Sequence, residues 1–525
     1  MSVPVFEHTV SAIRSHILNE EEPLQKISHL IKYDPGLYFS LLKYINSSPR
    51  RNDTTSVSQA ISLIGAEGSE NFILQQDYFL NEDYLFLWCY AVLAGEAAAL
   101  INERADIADG DEAFFAGILP AVGMLLMAGK AGYRKIVELL LKVPLEHRVF
   151  IEEGLFKSNG IEQLDKSLLS PKTYKDIITY MGCVFAKDGH RKDCPDHPAR
   201  FSMAYKSFEL FKLIEVADTA ARSLLFPQVV EAQEKFRELC KMYFKVPESE
   251  IEELLADILE RFEVACKEFG VESLSEQFIL NAEAYRSPGI VFLTKSKTLT
   301  KSLDEILSAN RNDKNISIYG ESSVGKRLLA IFLHRHPDNP RRTKPFLSIH
   351  CGTLDSETLE VELFGSKGGF LGLERHKGTL ELANGGTILL KDIDKIPLML
   401  QDKFAEIFSK DEFYKIGETR PASFDIKFII TSRKDIVAEA KAGRFSRILL
   451  DVLNPTGIHI IALRERKEDI EFIADSIIEK YDLNLTDPAL RLGLREYYDS
   501  QPFADNLRDL KRLLFYLSAK HSLKS

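Results

Sequence analysis

Residues 320–326 read GESSVGK, and this stretch decides the fold of the C-terminal half. It follows an apolar run at 316–319 and precedes an apolar helical stretch at 328–333, so a strand, a glycine-rich loop and a helix occur in the order of a phosphate-binding loop. The loop N–H groups, the helix N-terminus and the Lys326 ammonium form a cradle for β- and γ-phosphates. The spacing predicts an α/β domain that binds a nucleotide; the alternative is a loop of the same shape that binds nothing.

A second stretch, GGTILLKDIDKIP at 385–397, reads as an apolar strand that ends in charged residues. In open α/β folds the residues that act on a ligand lie at the carboxyl ends of the strands. Lys391 and Asp392 stand at this end. Their identity decides whether the C-terminal half is an ATP-driven motor or a nucleotide-regulated scaffold.

From about residue 289 to its end the chain resembles the AAA+ domain of bacterial enhancer-binding proteins, the ATPases that remodel sigma-54 RNA polymerase. The resemblance implies a Rossmann-like αβα subdomain at 289–455 followed by a small helical lid at 456–525. Besides GESSVGK, the matching blocks are PFLSIHCGTL (345–354), ELFGSKGGFLGL (362–373), KGTLELANGGTILL (377–390), GETRPASFDIKFIITSRKDI (417–436), LRERKEDI (463–470) and NLRDLKRLL (506–514).

The resemblance also implies which residues contact the nucleotide, with ATP or ADP as the ligand. Arg508 corresponds to the lid arginine that couples bound nucleotide to lid position. Ile290, Val291 and Phe292 correspond to a region that lines the adenine pocket. The residues expected to hold the phosphates are Gly320, Glu321, Ser322, Ser323, Val324, Gly325, Lys326 and Arg327.

In working members of that family the strand after GGT ends in Asp-Glu, of which the Asp orders Mg²⁺ and the Glu polarises the attacking water. Here Lys391 takes the place of the Asp, and the shorter Asp392 takes the place of the Glu. This exchange replaces an anion by a cation, and each unit of charge is worth about 4 kcal/mol at 4 Å with an effective dielectric constant near 20. We therefore expect Mg²⁺ to bind poorly and no metal site to form. Asp392 is the single, weak candidate for a catalytic residue.

Other parts of the family's hydrolytic machinery are changed as well. Ser446 and Val452 stand where the family has two arginines that reach a neighbouring subunit's γ-phosphate, and such an arginine is worth about 10³ to 10⁵ in rate. His350 and Arg433 replace two asparagines of the family pattern. The resemblance therefore favours a module that binds nucleotide with little turnover; an active ATPase in which Arg447 substitutes is the alternative.

The loop that contacts sigma-54 in the family also differs. GGFLGL at 368–373 replaces GAFTGA, and Leu371 stands at the position of the threonine that touches sigma. Phe370 is retained, which keeps an apolar loop tip. Sigma-54 RNA polymerase is thus a weak candidate partner. Self-association stays possible, but the loss of both arginines weakens the argument for the hexamer usual in the family.

Composition and charge narrow the classes of function further. The 525 residues include 67 basic and 78 acidic side chains, which gives a net charge of −11 and a pI near 5.7. With this charge, and with too few residues after Arg508 for a helix-turn-helix, we expect no direct DNA binding. We also expect no membrane span and no signal peptide. Six scattered cysteines are typical of a reduced, cytoplasmic protein.

The N-terminal half reads as an all-α bundle. Apolar residues recur at helical spacing, and Asp34-Pro35, Ser48-Pro49 and Gly65 separate the runs. An amphipathic helix at 247–269 closes the region. The other helical stretches are predicted at 24–31, 37–45, 57–64, 85–101, 114–127 and 136–141.

This half resembles the HDOD family, signalling relatives of the HD phosphohydrolases, over roughly residues 6–275. HD enzymes hold divalent metals with a His-Asp pair, and Pro120-Ala121 stands at that place here, so we expect no phosphohydrolase activity. The resemblance implies a signalling domain at 1–275 that binds a protein partner, and a linker at 276–288 joins it to the AAA+ module. The matching strings are KISHLIKYDPGLYFSLLKYINSS (26–48), SVSQAISLIGAEG (56–68), LFLWCYAVLAGEAAALI (85–101) and EAFFAGILPAVGMLLMA (112–128).

Three smaller features have structural or chemical alternatives. Trp88 falls at a packing position and is expected in the core. The polar cluster at 310–315 predicts a surface turn before the nucleotide-binding strand. A Cys₂His₂ zinc site is chemically open, although its spacing matches none of the common structural sites; its candidate ligands are Cys183, His190, Cys194 and His197.

The function predicted from the sequence is a cytoplasmic bacterial signalling protein. A metal-free HDOD bundle recruits a protein partner, and a degenerate AAA+ module binds ATP or ADP and changes the docking of the bundle through Lys326 and Arg508. Two alternatives stay open: an active sigma-54-dependent transcriptional ATPase without a DNA-binding domain of its own, and a scaffold that binds no nucleotide.

Overall fold

The computed structural model describes residues 3–17, 23–47, 54, 56–76, 79–80, 84–167, 172–184, 205–271, 292–352, 356–367, 376–485 and 502–524. Several of the sequence predictions fall outside this part of the chain. They are the linker at 276–288, the loop at 368–373, the residues Ile290 and Val291, and the candidate zinc ligands, of which Cys183 is described by its backbone alone.

The N-terminal half is helical, as the hydrophobic periodicity predicts. A two-residue parallel pairing of β1 (Val5–Phe6) with β2 (Phe79–Leu80) is the one strand pairing within the described part of this half. The helices are α1 (Glu7–Ile17), α2 (Pro23–Lys32), α3 (Pro35–Asn46), α4 (Val57–Leu74), α5 (Leu85–Ala105), α6 (Gly110–Met127), α7 (Val137–Lys142), α8 (Leu145–Phe156), α9 (Gly160–Ser167), α10 (Lys172–Val184), α11 (Tyr205–Leu225), α12 (Val230–Phe244) and α13 (Glu248–Glu268).

Helices α5 and α6 form the centre of the bundle, with α11 and α13 packed on α5. Their backbones come close at Gly117, where an added Cβ would lie 2.4 Å from the carbonyl oxygen of Ala94. Trp88 is fully buried against His8 and Phe269, so its predicted core position is confirmed. Both helices are long and apolar enough to cross a membrane, but 89% and 83% of their apolar windows are buried inside the bundle, which marks them as its core helices.

Two predicted helix breaks have a clear local cause. Asp34 caps α3: its Oδ1 accepts the backbone N–H groups of Gly36 and Leu37, and its Oδ2 accepts that of Phe6. Gly65, with φ 71° and ψ −178°, has a non-helical backbone and separates α4 into two helical segments. The positions of the HD pair, Pro120 and Ala121, lie buried within α6.

The C-terminal half contains a five-stranded parallel sheet with the strand order β11-β3-β10-β7-β4. Apolar side chains on both of its faces are buried in separate hydrophobic cores, because the sheet is covered on both sides, as in other parallel sheets. These strands are β3 (Ile316–Tyr319), β4 (Phe346–His350), β7 (Thr387–Lys391), β10 (Lys427–Ser432) and β11 (Thr456–His459).

Shorter strands pair in two small antiparallel sheets beside the main one. They are β5 (Gly365–Ser366) with β6 (His376–Lys377), and β8 (Glu412–Tyr414) with β9 (Pro421–Ser423). The helices of this half are α14 (Lys297–Arg311), α15 (Lys326–Arg335), α16 (Ser356–Phe364), α17 (Thr379–Leu382), α18 (Leu398–Lys410), α19 (Ile436–Lys441), α20 (Arg447–Leu453), α21 (Lys467–Lys480) and α22 (Asn506–Lys524).

The prediction that 310–315 is a surface turn is confirmed for residues 311–314, which are exposed or partly exposed at and just after the end of α14, and is wrong for Asn310. Asn310 is fully buried at the end of α14, where it donates to the carbonyl oxygen of Leu333 (2.8 Å) and accepts from Lys427 Nζ (2.6 Å). Asn315 donates to Leu453 O and accepts from the N–H of Phe428. The two asparagine side chains form hydrogen bonds with buried groups of other helices and strands. A local cluster of polar residues in the sequence does not reveal such contacts.

The two halves meet along two surfaces. Helices α21 and α22 of the predicted lid share a continuous hydrophobic core with the N-terminal bundle, and α22 packs on α8. On the other surface, α12 packs against β4, an edge strand of the main sheet. The pocket described next lies between these surfaces.

Candidate nucleotide site

The loop at 320–325 adopts a conformation that requires its glycines. Gly320 and Gly325 have φ values of 149° and 108°, and an added Cβ at Gly320 would lie 2.4 Å from the carbonyl oxygen of Ile460. Helix α15 begins at Lys326, so the loop leads into a helix N-terminus as the sequence predicts. The Lys326 ammonium donates to the carbonyl oxygens of Gly320 and Glu321, both at 2.7 Å.

The lid holds this loop directly. Arg466, almost fully buried, donates to the carbonyl oxygen of Val324 (2.8 Å), and Leu507 N–H donates to that of Ser323 (3.1 Å). The Asn506 amide donates to the carbonyl oxygen of Ser322 (2.9 Å). Hydrogen bonds thus connect the loop backbone to the start of α22.

Glu321, one of the predicted phosphate-binding residues, faces the lid. Its carboxylate forms an ion pair with Arg464 (2.7 Å to Nη1) and accepts from the Asn506 amide (3.1 Å). These two partners lower the pKa of Glu321 to about 2. The loop thus contributes mainly its backbone and Lys326 to the pocket, and the Glu321 side chain contributes to the lid contact.

The end of β7 places the two residues that replace the family's acids. Asp392 has left-handed φ (53°), and its N–H donates to Thr431 Oγ1 (3.3 Å). His350 Nε2 lies 3.6 Å from Asp392 Oδ2. Lys391 ends the strand and is mostly buried.

A pocket of about 840 Å³ lies over the loop, and three parts of the chain form its walls. The AAA+ side supplies Lys326, Lys391 and Asp392, and the start of the module supplies Phe292. The lid and the N-terminal half close the pocket; the lining residues from those two parts include Ile473, Lys480, Leu507, Arg508, Lys511, Glu146, His147, Val230, Glu231 and Glu234.

Glu238, a carboxylate of the N-terminal half, binds the two positions that usually supply magnesium ligands in such a site. Glu238 of α12 is 6% exposed and contacts the Arg327 guanidinium, the Ser348 hydroxyl and Lys391 Nζ, the last at 3.3 Å. Phosphate-binding loops in general place a magnesium-ligating Ser or Thr directly after the lysine, and here that residue is Arg327. Both positions that usually supply metal ligands are therefore cationic, and both bind Glu238. This donor set does not fit Mg²⁺.

Glu238 is surrounded by more than one cation, so its cluster keeps a net positive charge. Burial by itself would raise the pKa of Glu238, but Arg327, Lys391 and Lys235 together hold it well below its usual range. Burial lowers the pKa of Lys391, and Glu238 opposes that effect. Burial also lowers the pKa of Lys326 against the attraction of Asp392. The Glu238 carboxylate is thus charged at any physiological pH.

Of the other predicted residues, Arg508 lines the pocket and pairs with Asp505 (2.8 Å). Ser446 caps α20 by accepting the N–H of Leu449, and Arg447 donates back to the carbonyl oxygen of Ala440. The role of Arg508 toward a nucleotide and the alternative role of Arg447 stay predictions.

Sequence reasoning missed Glu238. One signal was present: Arg327 and Lys391 put two cations at metal-ligand positions, and buried cations require an anion. The sequence does not indicate which of many acidic residues supplies it, because Glu238 is remote in sequence from both cations.

Comparison with known proteins supports the two-part organisation. Residues 3–151 match the HDOD domain family, and residues 292–459 match the sigma-54 interaction domain family. The all-α region continues to Glu268, well beyond the end of the HDOD match. The predicted fold class, a helical bundle followed by an α/β module of the AAA+ type, is confirmed.

The relatives are bacterial regulators. The response regulator protein FleR of Pseudomonas aeruginosa is 37% identical over 185 residues, which are 35% of this chain and 39% of FleR. PilR of the same organism is 31% identical over 239 residues, 45% of this chain and 53% of PilR. The Nif-specific regulatory protein of Azotobacter vinelandii is 30% identical over 257 residues, 47% of this chain and 48% of that protein. The chain spans about half the length, or less, of these relatives.

Among solved structures, the chain is similar to NtrX from Brucella abortus in complex with ADP. The TM-score is 0.40 and the identity 19%, over 56% of this chain and 70% of NtrX.

Proposed function

We propose that this chain, which joins an HDOD domain to a sigma-54 interaction domain, is a cytoplasmic bacterial regulator. Its AAA+ module binds ATP or ADP and hydrolyses ATP poorly. The bound nucleotide controls the contact between the module and the N-terminal half. The observation that carries this proposal is the contact of Glu238 with both Arg327 and Lys391.

Competition between anions supplies the mechanism. Arg327 is the second residue of α15, directly after Lys326, so phosphates held at this helix N-terminus lie beside the Glu238 carboxylate. A nucleotide diphosphate or triphosphate carries more negative charge than one carboxylate, and it competes for Arg327 and Lys391. Bound nucleotide therefore weakens the attachment of α12 to the module.

The lid gives the same signal a second route. Ser322, Ser323 and Val324 accept hydrogen bonds from the lid through their carbonyl oxygens, and α22 continues from there onto α8 of the bundle. A nucleotide that reorients the loop changes these contacts. By linkage, whatever partner the N-terminal half binds changes nucleotide affinity by the same factor.

Slow hydrolysis of ATP follows from the residues at the positions that usually bind magnesium. Arg327 and Lys391 repel a divalent cation, and Asp392 is left as the one candidate base. We expect phosphate release by the purified full chain to stay at the level of Lys326→Ala, with and without Mg²⁺. Rapid Mg²⁺-dependent release that Lys326→Ala abolishes would favour the alternative, an active sigma-54-dependent ATPase.

Nucleotide binding is measured by calorimetry with ADP. We expect binding that Lys326→Ala abolishes, with an affinity that changes by less than about threefold between Mg²⁺ and EDTA, because two fixed cations replace the metal. The matched control is Lys410→Ala, an exposed lysine on α18. Absence of ADP binding by the wild-type chain would support the scaffold alternative, and strict Mg²⁺ dependence would contradict the assignment of the two cations.

The competition itself is tested with Glu238→Gln. Removing the charge of Glu238 frees Arg327 and Lys391 for phosphate. A larger fraction of the molecules can then bind nucleotide, so we expect ADP to bind about tenfold tighter. Glu406→Gln, which removes an exposed carboxylate from α18, serves as the control. Unchanged or weaker ADP binding by Glu238→Gln would mean that nucleotide and α12 do not compete.

The partners are part of the proposal. Tyr44 and Leu63 are about half exposed on α3 and α4, and they support a protein-binding surface on the HDOD domain. Sigma-54 RNA polymerase is the weaker candidate, and we expect no direct DNA binding. A pull-down with and without ATP that compares wild type with Tyr44→Ser tests the surface; equal capture by both chains contradicts it.

A further inference from the structure

A second cleft, of about 340 Å³, lies between α12 and α15. Arg327 and Glu234 line both this cleft and the nucleotide pocket, whereas Glu238 lines this cleft. Six cationic side chains line this cleft together with only two carboxylates, Glu234 and Glu238. The cations are Arg237, Lys241, Arg327, Arg335, Arg342 and Lys344.

We propose that this basic cleft is a binding site for a small molecule that carries two or more phosphates. The site is distinct from the phosphate-binding loop, and the inference does not rest on the proposed function. Both halves of the chain build it: Arg237 and Lys241 come from α12, Arg335 from α15, and Arg342 and Lys344 from the turn before β4.

The charge balance of the cleft is positive even after its ion pairs are counted. Glu234 pairs with Arg335 (2.6 Å), Glu238 binds Arg327, and Arg237 binds Glu252 of α13. Three carboxylates thus face six cations, so a polyanion gains several charge-assisted hydrogen bonds there.

Size and shape favour a small molecule over an acidic protein segment. Ile331 and Phe346 form an apolar floor, and the α12 helix closes the cleft from the other half. The volume is at the lower end of the range for small-molecule sites, about 300 to 1,000 Å³. An extended peptide needs an open groove along a sheet edge or helix, and α12 already covers the edge strand β4.

Lys241 is a partly buried cation of the cleft. Burial lowers the pKa of its ammonium to about 8, and Arg237 and Arg335 add to this effect while Glu234 and Cys240 oppose it. A desolvated cation among other cations is stabilised when an anion binds beside it.

Occupancy of this cleft acts on the contact between the halves. A polyphosphate that binds Arg327 and Arg335 takes them from Glu238 and Glu234, two of the carboxylates by which α12 binds the AAA+ module. The ligand is thus expected to loosen α12 from outside the nucleotide pocket.

The test is a calorimetric titration of inorganic pyrophosphate into the full chain carrying Lys326→Ala, which lacks the loop lysine and so isolates the cleft. We expect one pyrophosphate per chain. Adding Arg342→Gln and Lys344→Gln, both at exposed positions that leave the fold intact, is expected to weaken binding about tenfold or more. Lys241→Gln is expected to have a similar effect, and Lys410→Gln on α18 is the matched control.

Three outcomes overturn the proposal. One is no binding at millimolar pyrophosphate, which shows that the loop was the single polyphosphate site. Another is equal affinity in the Arg342→Gln/Lys344→Gln chain and the Lys410→Gln chain. The third is tighter, competitive binding of an octa-aspartate peptide, which assigns the cleft to an acidic protein segment. Because ADP binding to the wild-type chain is measured separately, failure here leaves the proposed nucleotide site to its own test.

Discussion

The two surfaces that join the halves of this chain differ in kind. In the apolar contact, α22 packs on α8 through rings: Phe515 lies edge-on to His147 and Tyr481, and Tyr516 fills the space beside Gly154. In the charged contact, Glu234 and Glu238 of α12 bind Arg335, Arg327 and Lys391.

The difference teaches which surface is fixed and which one responds to ligands. Apolar burial is non-directional and does not compete with anions, so α22 and α8 stay packed together when a nucleotide changes the hydrogen bonds between the loop and the start of α22. An ion-pair cluster beside a phosphate-binding loop competes directly with phosphates. One contact therefore acts as a hinge and the other as a latch.

The largest expected effect comes from breaking the apolar contact. Phe515 is fully buried, so Phe515→Ala removes a ring and leaves a cavity, and we expect the free energy of unfolding to fall by about 3–5 kcal/mol. Denaturant titration followed by circular dichroism measures it, with the exposed Met399→Ala as control. Equal losses in both variants would show that α22 is not part of the core. Added ADP should leave the deficit unchanged.

A smaller effect is expected from the charged contact. Glu238→Gln leaves Lys391 and Arg327 without their carboxylate, and we expect a loss of about 2 kcal/mol, below the range for fully buried pairs because Arg327 is a third exposed. A double-mutant cycle with Lys391→Gln should give a coupling energy of about 1–2 kcal/mol. Additive losses would mean that the two groups do not interact. If saturating ADP does not reduce the coupling energy, nucleotide does not compete with Glu238 for the two cations.

The smallest effect is expected where the charged and apolar surfaces meet. Glu231 of α12 pairs with Lys480 (2.5 Å) and lies 3.7 Å from Lys511 of the lid, and it is 37% exposed. Glu231→Gln should cost about 1 kcal/mol or less.

The sign of the pH dependence follows from the pKa of Glu231. Burial by itself would raise that pKa, but Lys511 and Lys480 hold it below its usual value. The stabilisation is therefore present at neutral pH and is lost as the pH falls through the lowered value, so wild type and variant should converge in acid. A difference that grows in acid would contradict this assignment.

The sequence predicts the elements far better than it predicts their contacts. Hydrophobic period 3.6 locates the bundle helices, and the glycines at 320 and 325 locate the loop, because these signals are local. Asn310 was misread because turn-forming letters do not indicate whether an amide is buried. Glu238 was missed because its role depends on Arg327 and Lys391, which fold beside it from elsewhere in the chain.

The cover that α12 places over β4 has a consequence for assembly. Strand β4 is the outermost strand of its sheet, and an uncovered strand edge is a template for another chain. A molecule whose α12 has swung away would expose backbone donors and acceptors along that strand. Dimers formed by strand addition are then the expected product of the open state, and their appearance upon adding polyphosphate would report the opening without any label.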